Sequence, residues 1–219
     1  ETLIFKELEL KGNIGKLKEI KSGVINFLSS SKRTVSSYCL YKNCVYIGAC
    51  DSLILVYSIN EERVKFEIKD LFNKNLSLIQ IDIMYEINNY KYSDTLVCLC
   101  ENTVYFIDLN NNSLHSSIEL KYLPYKFSLN YEHKFPTLSI IDKQGFSIYS
   151  INQNFKIDKL ITVEDLDVLI GSGKLSLFKM NFMIIETKSK LLIYKLKLFE
   201  HKQGVIEEKI NLDSLSNIQ

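Results

Sequence analysis

The sequence predicts an all-β propeller of about four four-stranded blades preceded by a hairpin. Three observations predict it. A short phrase recurs four times: Val56-Tyr57-Ser58-Ile59-Asn60, Phe106-Ile107-Asp108-Leu109-Asn110, Ile148-Tyr149-Ser150-Ile151-Asn152 and Ile193-Tyr194-Lys195-Leu196-Lys197. Its second residues, here called markers, are Tyr57, Ile107, Tyr149 and Tyr194. They stand 50, 42 and 45 positions apart, and a period in the forties built from short apolar strands is the pattern of propeller blades. Tyr and Phe are abundant (13 and 12) while Gly and Pro are scarce (8 and 2), a composition suited to pleated, half-buried surfaces. Asn- and Asp-rich breaks return roughly every 8–12 residues, the cadence of sandwiches, barrels and propellers. Helical repeats share the period but not this cadence; short helical turns are expected only at 70–80 and 164–167.

Each element follows from these signals. Residues 3–10 and 14–20, joined at Lys11-Gly12-Asn13, read as a hairpin, with 21–34 as a connection. The first blade, about 35–69, has strands at 35–41, 44–50, 53–59 and 64–68. Lys42-Asn43 and Asp51-Ser52 supply turns, for which Asn and Asp are suited by local hydrogen bonding and tolerance of left-handed backbone. The second blade, 79–120, takes strands at 79–87, 95–100, 104–109 and 113–120. Its long polar loop at 88–94 accounts for the spacing of 50. The third, 125–163, takes strands at 125–131, 137–141, 146–151 and 155–163. The fourth, 168–212, takes strands at 168–177, 182–186, 191–199 and 205–212, the first of them interrupted by Gly171-Ser172-Gly173. The expected core includes Val45, Ile47, Leu55, Tyr57, Val97, Leu99, Phe106, Leu138, Ile140, Ile148, Ile184, Ile193 and Tyr194. Four and a half blades leave sheet edges open, so the expectation is a part of a larger, seven-bladed ring. Missing blades would come from further N-terminal chain or from a partner.

Composition narrows the function. At 46% hydrophobic and 24% charged residues the chain reads as globular. A net charge of +1 supplies no global field for nucleic acid or anionic lipid. No apolar run approaches the ~20 residues that span a bilayer. Five cysteines, an odd number, point to free thiols in a reducing compartment, cytoplasmic or nuclear. Cys98 and Cys100 read as small buried hydrophobes. His115, His133 and His201 form no ligand spacing with them, so neither a metal site nor a cofactor is expected.

The repeated phrases resemble the third-strand motif of WD40 repeats, an aromatic followed by Asp and an aliphatic; Ile107-Asp108-Leu109-Asn110 is nearest. The chain departs from that family in having no Trp and no Gly-His dipeptide, so the His–Asp arrangement of the standard repeat is not expected. Val45-Tyr46-Ile47-Gly48-Ala49-Cys50-Asp51-Ser52 is similar to a strand-Gly-turn phrase of the citron-homology propellers of vesicle-tethering proteins. Propeller subunits of tRNA-modifying enzymes are similarly diverged. The WD40 resemblance implies that the rim carrying the second-to-third-strand loops is a partner face.

An acid closes each second strand: Asp51, Glu101, Asp142 and Glu186, at 6, 6, 7 and 8 residues before the markers. Equivalent positions in a propeller reach one rim, so these four, with Asp70, Asn73 and Lys74 nearby, form a candidate partner site for a basic peptide. Such acids also serve as turn caps, and the two roles are compatible. Gly171-Ser172-Gly173-Lys174 departs from a phosphate loop, with Val168 where the first Gly belongs and Leu175 after the Lys. Asn75-Leu76-Ser77 and Asn111-Asn112-Ser113 match the glycosylation pattern, as an Asn-rich chain does by chance. Lys121, Lys126 and Lys134 lie close to Tyr122, Tyr125, Tyr131 and His133, the residue types of single-strand nucleic-acid sites. No nucleophile–base arrangement stands out, so no catalytic residue is expected. The leading reading is a non-catalytic protein–protein interaction scaffold in an intracellular assembly, such as trafficking or tethering. The alternative is an accessory, tRNA-contacting subunit of an RNA-modifying enzyme; a propeller enzyme is the third.

Overall fold

A computed structural model describes residues 2–11, 14–24, 35–50, 53–68, 77–84, 94–131, 135–152, 154–168, 177–179, 181–199 and 202–213. The described residues form only strands, turns and irregular segments. β1 (Thr2–Lys11) and β2 (Ile14–Val24) pair antiparallel as a two-stranded sheet, so 21–24, expected as connection, continue the second strand. Four antiparallel four-stranded sheets follow. Blade 1 holds β3 (Val35–Tyr41), β4 (Cys44–Ala49), β5 (Ile54–Ser58) and β6 (Arg63–Ile68). Blade 2 holds β7 (Leu78–Met84), β8 (Thr95–Cys100), β9 (Thr103–Asp108) and β10 (Ser113–Glu119). Blade 3 holds β11 (Pro124–Asn130), β12 (Thr137–Asp142), β13 (Phe146–Ile151) and β14 (Ile157–Val163). Blade 4 holds β15 (Leu177–Lys179), β16 (Phe182–Glu186), β17 (Lys190–Phe199) and β18 (Lys202–Asp213).

Within each blade the strands run in simple order, and the first strands β3, β7, β11 and β15 meet in succession, so they form the inner wall of the arc. Side chains stitch this wall together. Ile81 N–H donates to Ser37 Oγ (3.2 Å). Gln80 makes a two-way bond with the Phe127 backbone, donating from Nε2 to the carbonyl (3.0 Å) and accepting the amide at Oε1 (2.9 Å). Tyr131 donates its hydroxyl to the Ile83 carbonyl at 3.3 Å.

Strand alternation gives every blade a face toward the preceding blade and a face toward the following one. The markers all lie on the preceding face. Ile107 packs with Ile54 and Val56 of blade 1, Tyr149 with Val97 and Phe106 of blade 2, and Tyr194 with Phe146 and Ile148 of blade 3. Tyr57 shares its face with Val45, Ile47, Ala49 and Leu55, a fourth cluster also closed from solvent. Gly48 permits the close approach at the first joint: a Cβ there would lie 2.4 Å from Leu78 Cδ2. The turn at Lys42-Asn43 has φ of 45° and 60°, both positive as a two-residue hairpin of type I′ requires.

The structure corrects several expectations. Ile184 and Ile193, expected in the core, are only half-buried, because they lie on the following face of blade 4. Of the first strand of blade 4, expected at 168–177, residues 169–176 lie outside the described residues; Leu177–Lys179 form β15, and Val168 makes an isolated bridge to Thr187. Residues 164–167 are not helical, and Leu78–Gln80 belong to strand β7. Phe155, expected to open the last strand of blade 3, sits in the preceding turn at φ 54°, buried. Asp51, Asp70, Asn73, Lys74, Asn75, Leu76, His133, Lys134, His201 and the Gly171-Ser172-Gly173-Lys174 stretch lie outside the described residues.

Candidate functional site

The second-to-third turns of blades 2, 3 and 4 carry Glu101, Asp142 and Glu186. Because strand direction repeats in every blade, these turns share one rim with the connections between blades. The rim is tied to itself by backbone bonds: Glu101 N–H donates to the Ser77 carbonyl (3.1 Å), Leu166 N–H to Gln144 (2.7 Å) and Lys188 N–H to Asp167 (3.1 Å). Among the described residues around it, Glu101, Asp142, Glu164, Asp165, Asp167 and Glu186 outnumber Lys121, Lys143, Lys188 and Lys190.

The acids also cap turns. Asp142 Oδ1 accepts the amides of Gln144 (2.7 Å) and Gly145 (3.0 Å). Glu101 Oε1 accepts the Ser77 amide at 3.2 Å. Its φ of 41° is a left-handed value that favours glycine; a larger residue there is held by the bonds it makes. Glu186 ends β16 half-buried, beside a turn closed by Thr187, whose Oγ1 donates to the Lys190 carbonyl (2.8 Å) and accepts the Lys190 amide (3.1 Å).

A pocket of about 130 Å³ opens on this rim between the end of β10 and the preceding face of blade 3, walled in part by Asp142, Ser147, Tyr149, Lys159, Thr162 and Lys121. Lys121 lies 3.5 Å from Glu164 Oε1 and 4.6 Å from the centre of the Tyr122 ring. Lys159 lies 5.7 Å from the centre of the Tyr149 ring. Burial raises the Tyr149 hydroxyl above its usual pKa; the Asp142 charge acts in the same direction, against a lowering hydrogen bond with Ser147. Lys126, grouped with Lys121 by sequence, sits apart on the inner strand β11, where burial disfavours its charge.

The opposite rim carries two inter-blade latches that sequence reasoning missed. Asp94, before β8, receives hydrogen bonds from the Tyr41 hydroxyl and Lys42 ammonium of blade 1. His115 stacks on Phe155 of blade 3, centroids 4.0 Å apart, with Nε2 3.6 Å from Asp108 Oδ2. The latter is a His–Asp pair within one hairpin. The signal for both was present only as isolated residues facing each other across a joint. Cys98 and Cys100 are buried in the first joint as expected. Burial raises the pKa of Cys100 to about 12 and holds that of Cys98 well above its ordinary value, keeping both as inert thiols. Among the described residues no group of three His, Cys, Asp or Glu could hold a metal ion, and no helix is long and apolar enough to cross a membrane.

No family model matches the chain, and no curated protein matches it. Solved structures do. Two crystal structures of BBS1N in complex with ARL6DN, soaked with lead and with mercury, superpose with TM-scores of 0.60 and 0.61 at 11% identity. They cover 90% and 96% of this chain. The fold is a β-propeller. The chain spans 57% and 61% of the length of those two structures. The computationally designed Ika4 protein superposes with a TM-score of 0.50 at 14% identity, over 77% of this chain and 94% of that one. Kluyveromyces lactis Hsv2 with a complete loop 6CD also gives 0.50, at 9% identity, over 84% of this chain and 51% of its own. At these identities the likeness is one of fold.

Proposed function

We propose that the protein is a non-catalytic interaction module whose acidic rim receives a basic segment of a partner protein. The observation that carries this reading is the recurrence of a carboxylate at the same turn of successive blades, Glu101, Asp142 and Glu186, on a rim where acids outnumber lysines among the described residues. Asp51 extends the series to blade 1 by sequence. Such a surface acts mainly through encounter rate and specificity. The rigidity of the blades suits it to present loops, where recognition concentrates. The BBS1N structures, solved with ARL6DN bound, supply a propeller of the same fold that works in a protein complex. We assign this chain, within the same reading, to a diverged WD40-like propeller of a trafficking or tethering assembly in the cytoplasm or nucleus. Its blades at about 35–69, 79–120, 125–163 and 168–212 would be four of seven, with other protein subunits as partners.

The test is fluorescence anisotropy with a labelled nonapeptide alternating Gly with Arg and Lys. The combined variant Glu101→Gln, Asp142→Asn, Glu186→Gln should lower affinity about tenfold, since each lost charge contact at an exposed site is worth about 0.5 kcal/mol. Unchanged binding would remove the rim as the site. A tRNA titration serves the alternative reading. Tight binding with a steep salt dependence, lost on neutralising Lys121, Lys126 and Lys134, would replace the scaffold assignment with an accessory RNA-contacting role.

A further inference from the structure

The joint between blades 2 and 3 departs from its neighbours at one position. Two residues before the four markers stand Leu55, Tyr105, Ser147 and Leu192. Leu55 is buried in the blade 1 cluster, Leu192 is buried in its joint, and Tyr105 packs against its own. Ser147 is too short to fill the same place, and the pocket of about 130 Å³ opens beside it. In place of an apolar side chain the joint acquires two hydroxyls, Ser147 Oγ and Thr162 Oγ1, 3.2 Å apart. The Asp142 carboxylate lines the pocket, its Oδ1 fixed by two amides and its Oδ2 outside those bonds.

Resting on the basic-peptide reading above, we propose that this pocket takes one arginine side chain of the partner. An arginine presents an apolar stem and a planar fork of five N–H donors. The wall offers matching groups: a positioned carboxylate and two hydroxyl acceptors. An anion fits poorly. It would share the pocket with Asp142, Glu119 and Glu164, while the two lysines already have counter-groups, Lys121 in Glu164 and Lys159 in the Tyr149 ring. The ammonium of a lysine is a compact charge that cannot reach separated acceptors at once, so arginine is favoured over lysine.

The test is an NMR titration of the protein with N-acetyl-arginine N-methylamide, with the lysine analogue and inorganic phosphate in parallel. The arginine probe should shift amides around Ser147, Tyr149 and Thr162, and phosphate should not. Asp142→Asn keeps an acceptor for the Gln144 and Gly145 amides while removing the charge, and should weaken the probe at least about tenfold. Ser147→Leu restores the side chain that blades 1 and 4 carry and should abolish the shifts. Phosphate acting on the same amides, or Ser147→Leu binding the probe like the parent, overturns the proposal; equal binding of the lysine analogue overturns the choice of arginine. The anisotropy peptide separates the two levels of the argument. If it still binds Ser147→Leu but is lost from the triple rim variant, the pocket assignment falls and the rim stands. If it binds both like the parent, the rim reading itself falls.

Discussion

Ile148 of blade 3 and Ile193 of blade 4 occupy the same place, immediately before a marker and on the following face. Val56 and Phe106 are their counterparts in blades 1 and 2. Val56, Phe106 and Ile148 are each 0% exposed because a next blade covers them. Ile193 is half-buried, and around it Ile210 and Leu212 are 39% and 46% exposed. The side chains are alike; only the neighbour differs. Burial in this fold is therefore a property of the joint between blades. The other end of the arc is different again, since Tyr57 and its cluster are closed while Tyr38 and Leu40 on the inner strand are open.

The largest predicted effects test that difference directly. Phe106→Ala should cost about 3–5 kcal/mol and Ile148→Ala about 2–5 kcal/mol, as for core truncations. Tyr57→Ala should fall in the same range as Phe106→Ala. Ile193→Ala should cost no more than about 1 kcal/mol, in line with the smaller changes at exposed sites. Urea unfolding of the variants measures all four. An Ile193→Ala penalty equal to that of Ile148→Ala would mean that the following face of blade 4 is covered in solution. A penalty that rises only when the partners are present would identify that face as the next joint of the ring.

A closed joint also holds polar groups that an open one lacks. Gln80→Ala removes both hydrogen bonds to Phe127 and leaves its backbone amide without that acceptor, at a cost of about 1–3 kcal/mol. Hydrogen exchange at the Phe127 amide should quicken along with the fall in stability. Gly48→Ala probes how tightly the first joint closes. Its Cβ would meet Leu78 Cδ2, the far end of a flexible side chain, at 2.4 Å, so the penalty should stay near the low end, about 1 kcal/mol, of the range for overpacking. A much larger loss would show that β4 and β7 cannot separate at all.

Much of this was legible because it repeats. The markers and the alternation around them placed the second and third strands of all four blades, and eleven residues of the expected core are buried (thirteen expected, less Ile184 and Ile193). The two exceptions carry the same sequence pattern as the others. What set them apart is that no blade among the described residues lies against their face, which no local pattern encodes. At the candidate site the three described acids were readable as turn positions. The pocket was not read, although its signal was available: Ser147 stands in a column with Leu55, Tyr105 and Leu192. The Asp94 latch joins residues 52 and 53 positions apart, and only the fold brings them together.

The smallest predicted effect separates two aspartates of blade 2 by the sign of their pH dependence. Burial works against the Asp94 carboxylate, but the Lys42 and Tyr41 hydrogen bonds outweigh it and hold its pKa below the usual 3.8. A depressed acid contributes stability above its unfolded pKa and loses it as pH falls through the folded value. Asp94→Asn should therefore lie below the parent at neutral pH and converge toward it in acid, below about pH 4. Asp82, on the inner strand β7, is pushed above 3.8 by burial, offset in part by the Ile83 amide. Its contribution is full below the unfolded pKa and is lost as pH rises through the folded one. Asp82→Asn should match the parent in acid and gain on it as pH rises. Urea midpoints from about pH 2.5 to 7 would show two difference curves of opposite slope. Both latch and inner wall join blade 2 to a neighbour, but Asp94 sits at an exposed rim with its counter-charge and Asp82 in a desolvated wall. Parallel curves would mean that the two environments do not differ in the way the closed joint requires.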